Sequence, residues 1–321
     1  MQNAELRSWV PYALEKSGGQ LSCYWLNTYG QPFTEPFFDE TILTCKNLHR
    51  EHLLFSSVST PQMMTDWAPD LPDVKPTAVI FHISRCGSTL ISQMLSCAEQ
   101  NTVLAEVPIF DHILRLPFCE PSYQLSQVNL MLVAALKYYG RINDDGASRV
   151  FIKTDSWHIF FYDQLRALLP DTPFILLYRR PDEVARSHRK VPGMHVVPGL
   201  IEPELFGIKI KEPWRIRPDV YLAKVLESYL AKYLEIAEND RNAMLVNYSE
   251  GPVTILQKVA AFSNFVFGED ELEKMAERSR YHSKRPDEPF GEESGSDIPA
   301  SLEHAMKLYH KLDEKRITGS R

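Results

Sequence analysis

The sequence has little that would tie it to a membrane, an oxidising compartment or a nucleic acid. Its longest uninterrupted apolar run, Leu130 to Leu136, is far short of the roughly 18 residues needed to cross a bilayer. The opening residues, MQNAELRSWVPYALEKS, mix Glu5 and Arg7 into the start and lack an apolar signal region, so a cytoplasmic protein with no membrane span is expected. The five cysteines, Cys23, Cys45, Cys86, Cys97 and Cys119, are odd in number and contain no CxxC pair. Neither a disulfide framework nor a zinc site is indicated, and reduced thiols fit the expected compartment. Lys and Arg number 35 against 42 Asp and Glu, a net charge of -7, which argues against a surface built for nucleic-acid backbones. Internal repeats and low-complexity tracts are also missing.

What is present is an ordinary globular composition, 44% hydrophobic and 24% charged over 321 residues, enough for two domains or one large α/β domain with additions. Residues 1–75 hold short mixed segments that end in the Pro- and Asp-rich MTDWAPDLPDVKPT, read as a linker after an N-terminal extension or small domain. Residues 76–321 follow a more regular pattern. TAVIFHI, NTVLAE, SRVFIK, PFILLYR and NAMLVNY are short apolar runs separated by helix-like segments, the signature of buried parallel strands with helical crossovers. The clearest helices are SQVNLMLVAALKYYG, DSWHIFFYDQLRALL and YLAKVLESYLAKYLEIAEN. The last carries Tyr221, Tyr229 and Tyr233 as core packing. The fold expected is α/β: a P-loop-type doubly wound parallel sheet flanked by helices, with an N-terminal extension and a C-terminal helix packed through Leu302, Ala305, Met306, Tyr309 and Leu312. Residues 192–218 carry five prolines and three glycines and read as a loop insertion of the kind that forms lids. SKRPDEPFGEESGSDIP reads as an extended connection.

Ligands of open parallel sheets bind outside the carboxyl ends of the strands. Four apolar runs end there in polar residues: Ser84 and Arg85, Glu106, Lys153, and Arg179 with Arg180. Parallel strands would make these a mainly cationic crevice for a polyanion, containing one carboxylate. Arg85-Cys86-Gly87-Ser88-Thr89 lies between a strand and a helix, where exposed amides favour phosphate or sulfate and glycine permits close approach. It lacks the GK[ST] of a Walker A loop, and its cation precedes the glycine, so magnesium-dependent ATP chemistry is disfavoured. A phosphatase-type Cys-x5-Arg loop is absent because position 92 is Ser, and Cys86 is read as a small loop residue rather than a nucleophile. His82 is read as a core histidine and His158 as lying on a helix face, while His188 and His195 are alternative bases.

Arg-Cys-Gly-Ser-Thr-Leu after a strand resembles the 5′-phosphosulfate loop of sulfotransferases, which use 3′-phosphoadenosine-5′-phosphosulfate (PAPS). FILLYRRPDEVARSH resembles the family's 3′-phosphate segment, with Arg179 ending the strand and Ser187 eight positions later. LLPDTPFILLYR and AMLVNYSEGPVTILQKVAAF add weaker similarity, and the resemblance spans about residues 77–266. It is closest to the carbohydrate, tyrosylprotein and bacterial subset. It implies PAPS as co-substrate, 3′,5′-ADP as product, no metal, and a hydroxyl or amine acceptor on a small molecule, glycan or peptide. It further implies donor binding by Arg85, Cys86, Gly87, Ser88, Thr89, Arg179 and Ser187, with Glu106 as base and Arg85 and Lys153 stabilising the leaving group. Departures are Cys86 for the usual Ser, Arg180 for the usual Asp or Asn, and no convincing RKGxxGDWK element; Lys284, in RYHSKRP, is the candidate late phosphate contact. The competing expectations are an atypical nucleotide kinase and a non-catalytic nucleotide-sensing protein.

Overall fold

The computed structural model describes residues 7–48, 56–140, 148–209, 212, 215–282, 285–289 and 298–319, with backbone alone for 282 and 285–289. Its strands are β1 (Trp9–Ser17), β2 (Gln20–Asn27), β3 (Ser57–Ser59), β4 (Ala78–His82), β5 (Asn101–Ala105), β6 (Arg149–Lys153), β7 (Phe174–Tyr178), β8 (Ala243–Asn247), β9 (Tyr281–His282) and β10 (Arg285–Pro289). Its α-helices are α1 (Phe38–Leu48), α2 (Pro61–Trp67), α3 (Ser88–Leu95), α4 (Pro108–Cys119), α5 (Leu125–Gly140), α6 (Tyr162–Leu168), α7 (Pro181–Lys190), α8 (Pro218–Asn239), α9 (Pro252–Phe262), α10 (Glu269–Arg278) and α11 (Glu303–Gly319).

Five of the strands form a parallel sheet of order β5-β6-β4-β7-β8. Every residue of β4, β5 and β7 is buried, as expected of strands covered on both faces, and this is why their sequences are continuous apolar runs rather than alternating ones. From β4 the chain continues towards β5 at one edge, and from β7 towards β8 at the other. The neighbours β4 and β7 are therefore the switch point of the doubly wound order, the position outside whose carboxyl ends open α/β sheets bind ligands. Their pairing runs from Val79 opposite Phe174 to His82 opposite Leu177.

The chain divides into two compact units. The first comprises residues 1–77, 92–154 and 164–172, so the N-terminal residues share a unit with the β5–β6 pair. There β1, β2 and β3 make an antiparallel sheet of their own. Tyr139, wholly buried on α5, donates to the Pro11 carbonyl at 2.8 Å and meets Phe38 edge-on at 5.5 Å. Trp25 and Tyr138 pack edge-on at 4.9 Å, and the Trp25 indole donates to Ser59 Oγ at 2.8 Å. Each polar tip of these aromatic side chains thus finds a partner as the ring is buried.

The second unit comprises residues 78–91, 155–163 and 173–321. Tyr221, Tyr229 and Tyr233 of α8 have no exposed surface, as the helical spacing of its apolar residues requires. α11 and the 3-10 turn before it, Ala300–Leu302, pack on α8, and Leu302, Ala305, Met306, Tyr309 and Leu312 are all buried. A polar network ties α11 to the ends of β7 and β8: Asp313 accepts from Tyr178 at 2.8 Å, from Asn247 at 2.8 Å and from Arg316 at 2.9 Å.

Three expectations change in detail. MTDW of the expected linker lies in α2, and the APD after it forms a 3-10 turn, Ala68–Asp70, rather than extended chain. The single helix expected over 155–169 is a 3-10 segment, Ser156–Phe161, followed by α6. Ser156, Trp157, His158 and Ile159 are consecutively buried, a burden that a one-sided α-helical stripe does not meet. His158 therefore sits in the 3-10 segment, paired with Asp155 at 3.6 Å. The 192–218 insertion contains two 3-10 turns, Met194–Val196 and Pro203–Phe206. Most of the extended connection expected over 283–299 lies outside the described residues. No described helix is long and apolar enough to cross a membrane.

Candidate functional site

In the second unit, β4 leads into the loop that begins α3. Ser84, Arg85 and Gly87 all have positive φ, at 64°, 49° and 83°. Such a conformation is costly for the two non-glycine residues, at about 1–3 kcal/mol each, and clusters at functional sites. Local bonds hold it in place. The Ser84 amide donates to His82 Nδ1 at 3.1 Å, and the Ile83 amide continues the ladder to the Leu177 carbonyl at 3.3 Å. Cys86 has no exposed surface and directs Sγ at the same Leu177 carbonyl, 3.6 Å away. Its side chain anchors the loop, and only its backbone faces the helix end. The Gly87 carbonyl accepts from Ile91 at 3.1 Å as α3 begins, so the preceding amides belong to a helix N-terminus, where anions are favoured.

The ring of Tyr248, in the short 3-10 turn after β8, lies directly against Gly87: a Cβ there would overlap it. Tyr248 is not singled out by the sequence, because the contact joins residues far apart in the chain. The same ring lies 5.3 Å from the Arg179 guanidinium, within cation–π range. Arg179 directly follows β7, is 12% exposed at its side chain and donates to Glu183 at 2.6 Å. Arg180 caps α7 and pairs with Asp182 at 3.1 Å. Pro181 occupies the first helical turn with Asp182 and Glu183, as their residue types favour. Ser187 lies half-buried in the second turn of α7. In this unit the structure thus joins Gly87, Tyr248 and Arg179 in one contact series.

His188 and His195 are each 3% exposed. His188 Nδ1 accepts from the Gly193 amide at 3.2 Å. Burial first, and then the positive charge of Arg85, push its pKa down from 6.5 to about 4.

In the first unit, Glu106 directly follows β5 with φ of 53°. Its amide donates to the Lys153 carbonyl at 2.8 Å, extending the β5–β6 ladder by one residue while the left-handed backbone redirects the side chain. The Lys153 side chain has no exposed surface, and its ammonium pairs with the Glu106 carboxylate, which is 21% exposed. The sequence placed both residues as candidates, and the structure brings them into direct contact. It also adds two residues of the N-terminal region that the sequence did not single out. The Phe37 ring lies 5.2 Å from Lys153 Nζ. Asp39, in the first turn of α1, has its carboxyl pKa raised by partial burial and then by the Glu106 charge, with His112 opposing. Lys284 lies outside the described residues.

No family model matches the chain, and no curated protein sequence matches it. Among solved structures it is similar to a sulfotransferase from Alicyclobacillus acidocaldarius, at 15% identity and a TM-score of 0.43, over 76% of this chain and 95% of that one. It is also similar to the sulfotransferase domain of the curacin biosynthetic pathway, at 14% identity and 0.45, over 75% and 99%. Mouse SULT7A1, crystallised with PAP, gives 11% identity and 0.39, over 83% and 73%.

Three expectations follow from this geometry. Gly87→Ala forces a methyl into the Tyr248 ring at a backbone conformation that L-residues avoid, and should lower stability by at least 1–2 kcal/mol in urea unfolding. Glu106→Gln leaves the buried Lys153 ammonium without its carboxylate and should cost roughly 3 kcal/mol, the low end for a buried pair because Glu106 keeps some exposure. Lys153→Met added to Glu106→Gln should recover part of that loss, and a strictly additive cycle would contradict the coupling. His188 stays neutral in the fold at pH values where the unfolded chain protonates it. Stability should therefore fall by on the order of 3 kcal/mol between about pH 6.5 and 4 relative to His188→Asn. Parallel unfolding curves for the two proteins over that window would refute it.

Proposed function

We propose that this chain is a sulfotransferase that moves a sulfuryl group from PAPS to a hydroxyl or amine acceptor on a small molecule, glycan or peptide. The observation that carries the reading is the loop after β4. It is strained into the left-handed region at Ser84 and Arg85 and opens a helix N-terminus at the sheet's switch point. In it Gly87 is followed directly by Ser88 and Thr89, not by the lysine that serves nucleotide phosphates in the Walker manner. The Arg-Cys-Gly-Ser-Thr loop and the Arg179…Ser187 segment are the two sequence features that support a 5′-phosphosulfate and a 3′-phosphate at opposite ends of one donor.

In the proposed reaction the acceptor oxygen or nitrogen forms a bond to sulfur. The bond between sulfur and the bridging oxygen breaks, and its electron pair leaves with 3′,5′-ADP. The acceptor proton passes to a base, for which Glu106 is the candidate, held in place by Lys153. Negative charge grows on the departing phosphate, so the amides of Cys86 to Thr89 and the guanidinium of Arg85 are assigned to it. Arg179 and Ser187 are assigned to the 3′-phosphate. The proposed chemistry involves no metal.

The test is calorimetric titration with 3′,5′-ADP in EDTA beside Mg²⁺-ATP. Metal-free binding of 3′,5′-ADP is expected, weakened about ten- to a hundredfold in Arg85→Ala and Arg179→Ala, the loss typical of hydrogen bonds to charged groups. Binding of Mg²⁺-ATP alone would replace this reading with a nucleotide kinase. Glu106→Gln should then lower transfer from labelled PAPS by about 10²- to 10⁴-fold while 3′,5′-ADP still binds; unchanged transfer would remove Glu106 as the base.

A further inference from the structure

The start of the 191–208 loop is tied back at two adjacent points. The Val191 carbonyl accepts from Arg85 Nη2 at 2.7 Å. Two residues later, the Gly193 amide donates to His188 Nδ1 at 3.2 Å. Between them lies Pro192, whose fixed φ leaves little freedom, so the position of Gly193 dictates where the Val191 carbonyl stands. Gly193 is itself clasped by two imidazoles. A Cβ on it would come within 2.9 Å of His195 Cε1 and 3.1 Å of His188 Cε1. The rings of His188 and His195 meet edge-on at 5.2 Å. His195 Nδ1 lies 3.5 Å from Ser156 Oγ, which accepts from the Tyr229 hydroxyl at 3.2 Å. The clasp is thus anchored in the buried face of α8.

An imidazole nitrogen that accepts an amide hydrogen bond carries no proton, so the His188 ring holds its hydrogen on Nε2 and is neutral. Arg85 is the charged group facing it from the loop after β4, and His195 the titratable group facing it from the 191–208 loop. Burial first, and then the Arg85 charge, disfavour a positive charge at His188, which keeps the acceptor available through the neutral range.

We propose that His188 is a positioning residue for Arg85. Its neutral imidazole fixes Gly193, Pro192 carries that constraint to the Val191 carbonyl, and the carbonyl orients the Arg85 guanidinium beside the anion-binding loop. This rests on the reading of Arg85 as a donor contact. It gives the start of the 191–208 loop a role distinct from that of a lid: it holds a cation that Arg85's own left-handed backbone leaves on a long, flexible side chain. Losing that pre-organisation weakens anion binding without removing any group that touches the anion.

The experiment compares wild type, His188→Asn, His188→Leu and Gly193→Ala. Titration with 3′,5′-ADP in EDTA is paired with hydrogen exchange of segment 191–197 in the unliganded proteins. Asn offers a carbonyl oxygen near the place of Nδ1 and should rescue, binding within about threefold of wild type with 191–197 still protected. His188→Leu removes the acceptor. Gly193→Ala keeps both imidazoles and displaces the loop, so it remains informative if His188→Leu does not fold. Both should bind about tenfold more weakly, the worth of roughly one hydrogen bond, and exchange faster at 191–197. The loss should vanish on the Arg85→Ala background and persist on the Arg179→Ala background, a split that a general structural defect would not produce. Wild-type affinity in both His188→Leu and Gly193→Ala, or equal losses on the two arginine backgrounds, would overturn the positioning role while leaving the donor site intact. Absence of 3′,5′-ADP binding to wild type would overturn the donor reading and with it this role for His188, even if exchange at 191–197 followed the expected pattern.

Discussion

The candidate chemistry depends on left-handed backbone placed at the carboxyl ends of parallel strands. Ser84 and Arg85 adopt it after β4 and Glu106 after β5, and none of the three is a residue type that takes it easily. A strand that simply ran out would project its next side chain along the pleat. A residue with positive φ instead turns the side chain sharply while the amide stays in the ladder, as the Glu106 amide does on the Lys153 carbonyl. Such strain persists only where surrounding contacts over-determine it. After β4 those contacts are the buried Cys86 thiol, the His82 ring beneath the Ser84 amide, and the Tyr248 ring against Gly87. The glycine matters here for its missing side chain as much as for its φ, because the aromatic ring occupies the space a Cβ would need.

The fold was legible where burial is complete. β4, β5 and β7 are covered on both faces and so read as unbroken apolar runs, and α8 and α11 display their buried stripes at helical spacing. Legibility failed where burial does not follow one period. Ser156 to Ile159 are all buried in a 3-10 segment, and no amphipathic pattern announces such a turn. The antiparallel sheet of residues 9–59 was equally hidden, because β1 and β2 alternate only imperfectly and β1 carries a bulge between Pro11 and Ala13.

Much the same distinction applies to the site. Arg85, Glu106, Lys153 and Arg179 could be found because each ends an apolar run, a local signal. Tyr248, Phe37 and Asp39 could not, because what marks them is a contact with a residue far away in the chain. His188 illustrates the limit from the other side. The sequence offers it as a possible base, whereas its Nδ1 already accepts the Gly193 amide and burial beside Arg85 opposes its protonation. A histidine's chemistry is set by what occupies its two nitrogens, and that information is absent from residue type and spacing.

Several cations of this chain are already paired with carboxylates, which bears on how an acidic protein would hold the proposed polyanion selectively. Arg179 is paired with Glu183, Arg180 and Arg186 with the buried Asp182, and Lys153 with Glu106. A phosphate reaching Arg179 therefore meets a guanidinium already partnered by a carboxylate, and part of the attraction is offset by loosening that pair. Internal pairing of this kind removes the long-range positive field that would draw in nucleic acid, consistent with a net charge of -7. Selectivity then falls to groups whose geometry cannot be satisfied by charge alone: backbone amides at the start of α3, and a glycine held flat against an aromatic ring. An anion of the wrong shape could disturb the ion pairs and still gain little from the loop. In the proposed reading, the strain stored after β4 is thus the source of discrimination, and the paired cations are its electrostatic background.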